Sequence, residues 1–189
     1  MGRSKAALQF GSSTLIGRIV DELSRGFRDI VVVAAPAHVQ ELPIDFHGIT
    51  VVRDAMAHPG PVAALALGLA TIKGDAAFAC SCDLPMLRVD VALALGAMLE
   101  DYDAVIPEVG AMLQPLHAVY RKACLDEFRA MQREGEMRLM EVAGRINARV
   151  VVEEELRELD RDLLSFFSID TPDDYERALE MIEDPFGIR

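Results

Sequence analysis

Cysteine is scarce: Cys80, Cys82 and Cys124 are all that 189 residues hold. An odd, low count in a chain this long is no disulfide framework, and it points to a reducing compartment, the cytoplasm. Cys80-Ser81-Cys82 is a poor metal pair as well. Its one-residue gap misses the usual two, and no Cys/His cluster completes four ligands. A buried strand with small, soft side chains is the better reading. Long apolar runs are missing: no stretch approaches the roughly 18–20 uninterrupted apolar residues of a membrane span. The opening residues lack the basic tip and apolar run of a secretory signal. Positive charge is in deficit, with 19 Lys and Arg against 31 Asp and Glu and a formal net charge of −12. That argues against nucleic acid or an anionic membrane as partner. An anionic small substrate stays open, because a local cation or a bound metal reverses the sign inside one cleft.

What is present is a 51% hydrophobic chain, enough for one sizeable core and one domain over 1–189. Short apolar runs alternate with helical stretches. Residues 29–35, 48–52, 76–82, 103–107, 116–120 and 148–152 read as strands, the first a nearly continuous β-branched run of the kind buried on both faces. Helices are expected from a Ser12 or Ser13 cap to about Ser24, from Pro61 through Ile72, and over 90–100, 122–133 and 136–143. Thr171-Pro172-Asp173-Asp174 starts a last helix, with a cap, a first-turn proline and acids against the helix dipole. Residues 184–189 form a tail. Such alternation implies an open, mostly parallel α/β sheet, whose ligands bind beyond the carboxyl ends of the strands.

Four stretches at those ends carry chemistry. Gly2 to Lys5, within a glycine- and cation-bearing opening over residues 1–11, suits a phosphate, with a solvated terminus as the plainer reading. Asp54 follows a strand and precedes the Gly60-Pro61 helix start; it would accept hydrogen bonds from a nucleoside, or merely cap a turn. Asp83 ends a buried strand that Pro85 stops, a fitting place for Mg²⁺, which takes one or two carboxylates plus substrate phosphates. Asp170 ends a short strand before the last helix and is either a second carboxylate facing Asp83 or a simple lead into that helix.

Taken in order, these stretches resemble the molybdenum cofactor guanylyltransferases, within the nucleotidyltransferases that move NMP from an NTP. Met1 to Leu8 is similar to the back half of that family's leading signature. Residues 54–64 resemble its Asp and Gly-Pro-Leu-Ala-Gly stretch, and Cys82-Asp83-Leu84-Pro85 its Cys-Asp-Met-Pro motif. Residues 113–121 resemble its Gln-Pro-Leu segment, and 135–140 and 168–174 its later segments. The resemblance implies a three-layer, mostly parallel, Rossmann-like sheet of the nucleotide-diphospho-sugar transferase type. It also implies a first strand and a Leu-Ala-Gly-Gly turn ahead of Met1, so this chain is expected to lack that strand, with a reading frame that starts upstream.

The implied reaction is transfer of GMP from GTP to molybdenum-molybdopterin, with Mg²⁺ as cofactor. Lys5, Arg3 and Asp83 would be catalytic, and Gly2, Lys5, Asp54, Gly60 and Asp83 would bind nucleotide. Gln114, Pro115, Leu116 and His117 would border the pterin, and Asp83 and Asp170 would hold the metal. His117 alone reads as a strand residue with a satisfied imidazole. Molybdoenzymes or their chaperones are the implied protein partners, and the expected state is a monomer or weak homo-oligomer. Ser168-Ile169-Asp170 stands where the family has Asn-x-Asn and resembles the cytidylyltransferase version, so cytidylyl or other nucleotidyl transfer is the alternative. The missing Gly-rich turn leaves a non-catalytic nucleotide-binding relative as a further one.

Overall fold

Apolar alternation decides most elements in a computed structural model of the chain, which describes residues 5–37, 40, 42, 48–55 and 60–183. The Gly2 and Arg3 assignments and the 184–189 tail lie outside the described residues. A small antiparallel hairpin, β1 (Gln9–Phe10) and β2 (Ser13–Thr14), leads into α1 (Leu15–Leu23). Then come β3 (Val31–Ala34), β4 (Thr50–Arg53), α2 (Gly60–Thr71), β5 (Ala76–Cys80) and α3 (Val89–Ala97). β6 (Ala104–Val109), β7 (Met112–Leu113), β8 (His117–Arg121), α4 (Leu125–Glu134), β9 (Ala148–Val151), α5 (Glu153–Leu159) and α6 (Pro172–Glu183) complete the order. No helix among the described residues is long and apolar enough to cross a membrane.

Two helix expectations need correction. The cap of α1 is Thr14, whose hydroxyl accepts from the Gly17 amide at 3.2 Å; Ser13 is committed to the hairpin opposite Phe10. The stretch over 136–143 is not α-helical. Gly135, at φ +74°, ends α4 in the left-handed conformation, and a 3₁₀ run follows over Leu139–Gly144.

The sheet is mixed rather than mostly parallel. β3 pairs with β4 in parallel, and β6 with β9 in parallel, but β8 lies antiparallel between β5 and β6. The cause is local. Gly110 and Ala111 hold φ of +57° and +60°, the pair of positive values that a two-residue hairpin turn needs, and they reverse the chain from β6 into β7. Short connections make antiparallel neighbours; parallel ones need a crossover, and the long stretch between β6 and its parallel neighbour β9 carries α4.

Helices cover both faces. Ala104, Ile106, Ala118 and Tyr120 pack with α2 and α4, around Leu65, Phe128 and Met131. Val105, Val119 and Val151 face the other way, onto Val91 and Leu95 of α3 and Leu156 of α5. This period-two division of one strand between two helical layers is the three-layer arrangement that the resemblance implies.

Candidate functional site

Where β5 stops, the chain turns through Ser81, Cys82 and Asp83. The Ser81 amide donates to the Leu116 carbonyl at 3.1 Å, and buried Leu84 and Leu87 anchor the far side. The segment ahead of α6 is tied to the same place: the Ile169 amide donates to the Asp83 carbonyl at 2.9 Å. One backbone bond thereby sets Asp83 and Asp170 side by side.

Lys5 joins them. Its Nζ lies 3.1 Å from Asp83 Oδ2 and 2.8 Å from Asp170 Oδ1. Both carboxylates are steadied by a serine two residues earlier. Ser168 Oγ donates to Asp170 Oδ2 at 2.9 Å, and Ser81 Oγ donates to Asp83 Oδ1. Partial burial works against the charge on Lys5, but hydrogen bonds to Asp170 and Asp83 outweigh it and raise its pKa. The hydrogen bond from Lys5, helped by Ser168, holds Asp170 below the usual carboxylate range. Lys5 and Asp170 are therefore both charged near neutral pH.

Two carboxylate oxygens converging on one positive charge is also the donor geometry a hard divalent cation needs. No group of three or more His, Cys, Asp or Glu suited to a metal occurs among the described residues. Asp83 and Asp170 would hold Mg²⁺ only with phosphate oxygens completing its shell, which is how Mg²⁺ usually sits on a nucleotide. Cys80 and Cys82 add nothing to such a site. Burial, with the Asp83 charge, pushes their thiols up to about 12 and about 11, so they stay protonated.

Beside the carboxylates lies a cavity of about 220 Å³. Gln114, Pro115, Leu116 and His117 form one wall, while Ser81 and Ser168 bridge it to Asp83 and Asp170. The wall is stiff. The buried Tyr120 donates its hydroxyl to the Pro115 carbonyl at 2.9 Å, and the His117 amide closes a turn onto the Gln114 carbonyl at 3.0 Å.

His117 departs from expectation. It is 1% exposed, yet neither ring nitrogen has a hydrogen-bond partner, so the imidazole is not satisfied. It sits between Phe78, edge-on at 5.1 Å, and Phe166, tilted at 4.2 Å. Its neighbours are rings and apolar strands, which stabilise its shape without pairing its polarity. Burial pulls its pKa down to about 3, so the ring is neutral.

The other assigned residues lie apart from this cluster. Asp54 follows β4, its amide bonded to the Ala34 carbonyl at 2.8 Å, and it does not line the cavity. Gly60 opens α2 at φ +80°, a conformation that favours glycine, and it is its neighbour Pro61 that reaches the cavity. Sequence reasoning missed Ser81 and Ser168. Their signal was in plain view: the same Ser-x-Asp spacing occurs at both ends, 81–83 and 168–170. It also missed Phe166, Leu139 and Met140 as cavity walls.

The model of the MobA-like NTP transferase domain matches residues 1–150. The chain belongs to that family. Membership makes it a nucleotidyltransferase. Among relatives of this MobA-like chain, a molybdenum cofactor guanylyltransferase of Desulfosudis oleivorans is 31% identical over 180 residues, covering 94% of this chain and 86% of that one. Two solved structures share the fold. Molybdopterin-guanine dinucleotide biosynthesis protein A from Archaeoglobus fulgidus superposes with a TM-score of 0.79 at 23% identity, over 97% of this chain and 92% of that one. Rv0371c from Mycobacterium tuberculosis, crystallised in complex with manganese, gives 0.63 at 17% identity, over 95% and 93%.

Proposed function

We propose that this MobA-like protein transfers GMP from GTP to molybdenum-bound molybdopterin. The terminal phosphate oxygen of the pterin attacks the α-phosphorus of GTP in line. A new P–O bond forms, the α–β bridge breaks, and its electron pair leaves with pyrophosphate. Such a step needs little acid or base from the protein; positioning and charge neutralisation carry it. The observation that carries the reading is the Lys5–Asp83–Asp170 cluster, joined through Ser81 and Ser168 to the cavity walled by Gln114 to His117. The 31% identical guanylyltransferase relative supports the choice of substrates.

Each group has a part. Asp83 and Asp170 would hold Mg²⁺, which supplies positive charge to the phosphates when bound. Lys5 stabilises the developing pyrophosphate, a role the resemblance extends to Arg3 and, through backbone amides, to Gly2. Asp54 and Gly60 border the nucleoside. Gln114, Pro115, Leu116 and neutral His117 receive the pterin, a flat heterocycle that can stack among rings and offer the imidazole a hydrogen bond. Cytidylyl transfer is the second reading, favoured by the aspartate at 170.

The test is transfer from labelled GTP and CTP to molybdopterin. D83N should lose at least about 10³-fold in rate while keeping its circular dichroism, and K5A about 10²-fold. Near-normal turnover of D83N removes the metal assignment. Preference for CTP replaces the first reading by the second.

A further inference from the structure

The polar groups around the cavity of about 220 Å³ are unequal in kind, and their existing bonds make them so. A serine hydroxyl has one hydrogen and two lone pairs. Ser81 commits its hydrogen to Asp83 Oδ1, and Ser168 commits its own to Asp170 Oδ2. Each acid takes Lys5 on its other oxygen, at 3.1 and 2.8 Å, which holds both carboxylates in place. A group that reaches either hydroxyl from the cavity therefore meets a lone pair.

Donors are scarce on the same walls. Pro61 and Pro115 have no amide hydrogen to give. The Ser81 amide is already bonded to the Leu116 carbonyl, and the His117 amide to the Gln114 carbonyl. Gln114 gives one side-chain amide hydrogen to the Met112 carbonyl at 3.2 Å. The buried His117 ring adds one group of each kind. Neither of its nitrogens is bonded, and a neutral imidazole carries one N–H and one lone pair.

Such walls discriminate between ligand edges. An edge of carbonyl oxygens would set lone pair against lone pair at the two serines, and desolvated acceptors left without donors cost affinity. An edge of amino and ring N–H groups satisfies both hydroxyls. The cavity is smaller than the roughly 300–1,000 Å³ of sites for drug-sized ligands, so it suits one fused heterocycle rather than a whole nucleotide. We infer, on the reading that this cavity takes the pterin, that Ser81 and Ser168 determine its specificity by accepting from the amino and ring N–H groups of the aminopyrimidinone edge, which points the pterin toward Asp83 and Asp170. Substrate edge, hydroxyl and carboxylate then form one chain of hydrogen bonds in which each polarises the next. Guanine carries the same edge, so the source of that edge belongs in the test.

The test is equilibrium binding of pterin and lumazine to the full chain. The two rings share size and shape, but lumazine carries an oxygen where pterin carries its 2-amino group. Pterin should bind about 10–100-fold more tightly. S81A and S168A should each shrink that ratio, and the double variant should bring it to about 3-fold or less. S168T, which keeps the hydroxyl, should retain it. Loss of packing alone would weaken both rings alike, so a ratio unchanged in the double variant overturns the proposal. Equal binding of the two rings by the unaltered chain, or tighter binding of lumazine, also overturns it and leaves the transfer reaction standing. Binding of neither ring overturns the cavity as the pterin site, and this specificity with it. Displacement of pterin by GTP but not by ATP gives the edge to the nucleotide and overturns the pterin as its source.

Discussion

β5 and β8 are paired residue for residue, from Ala76 opposite Arg121 to Cys80 opposite His117, yet they differ in fate. His117 to Tyr120 of β8 are buried without a gap. Ala77 to Cys80 of β5, as apolar as their partners, are only half-buried. Composition does not separate them; neighbours do. Among the described residues β8 has a strand on each edge, β5 on one. A strand is buried by what flanks it, so the same apolar run builds a rigid cavity wall on one side of a ladder and an open slot on the other.

Truncating one large ring on each side gives the widest test of this contrast. Phe128 is fully buried against Tyr120, 5.4 Å away edge-on, and F128A should cost about 3–5 kcal/mol in urea denaturation. Phe78, half-buried beside the slot, should cost about 1–2 kcal/mol as F78A. Equal losses would show that the slot side is as well packed as the other.

Acid should sharpen the contrast. His117 titrates at about 3 when folded and near 6.5 when unfolded. Below 6.5 the unfolded chain takes up a proton that the folded chain does not. Its contribution to stability is therefore complete above pH 6.5 and declines as pH falls toward 3, by about 1.4 kcal/mol per pH unit. Thermal melts from pH 7 to 4 should show that slope in the native chain, and H117F should flatten it. The smallest effect belongs to the α6 cap, where Thr171 and Asp174 exchange hydrogen bonds of 2.8 and 3.1 Å. T171A should cost about 1 kcal/mol and raise KM for the nucleotide, because Asp174 also accepts from the Asp170 amide.

Much of the fold was legible because periodicity reports burial. The six apolar runs became β3, β4, β5, β6, β8 and β9, and Pro172 did open α6. Strand direction was not legible, since a buried run reads alike either way; it was decided by a Gly110-Ala111 turn without the usual Asn-Gly spelling. α5 escaped notice because its short, acid-rich segment has only Leu156 fully buried. In the candidate site, Asp83, Asp170 and Lys5 were legible as strand-end charges, and their convergence needed the 169-to-83 backbone bond, which no local pattern encodes. His117 misled for a related reason. A sequence does not say that the ring's neighbours are Phe78 and Phe166, neither of which can pair its nitrogens.

The bond between Lys5 and Asp170 spans 165 positions, nearly the full chain. Synthesis proceeds from the amino end, so the Lys5–Asp83–Asp170 cluster cannot close until translation is almost over. A ribosome-bound fragment, or a product shortened by proteolysis before Ser168, would carry Lys5 without Asp170. The contact thus ties the two ends of the chain together, and a copy cut before Asp170 would leave Lys5 with Asp83 as its one remaining carboxylate in the cluster.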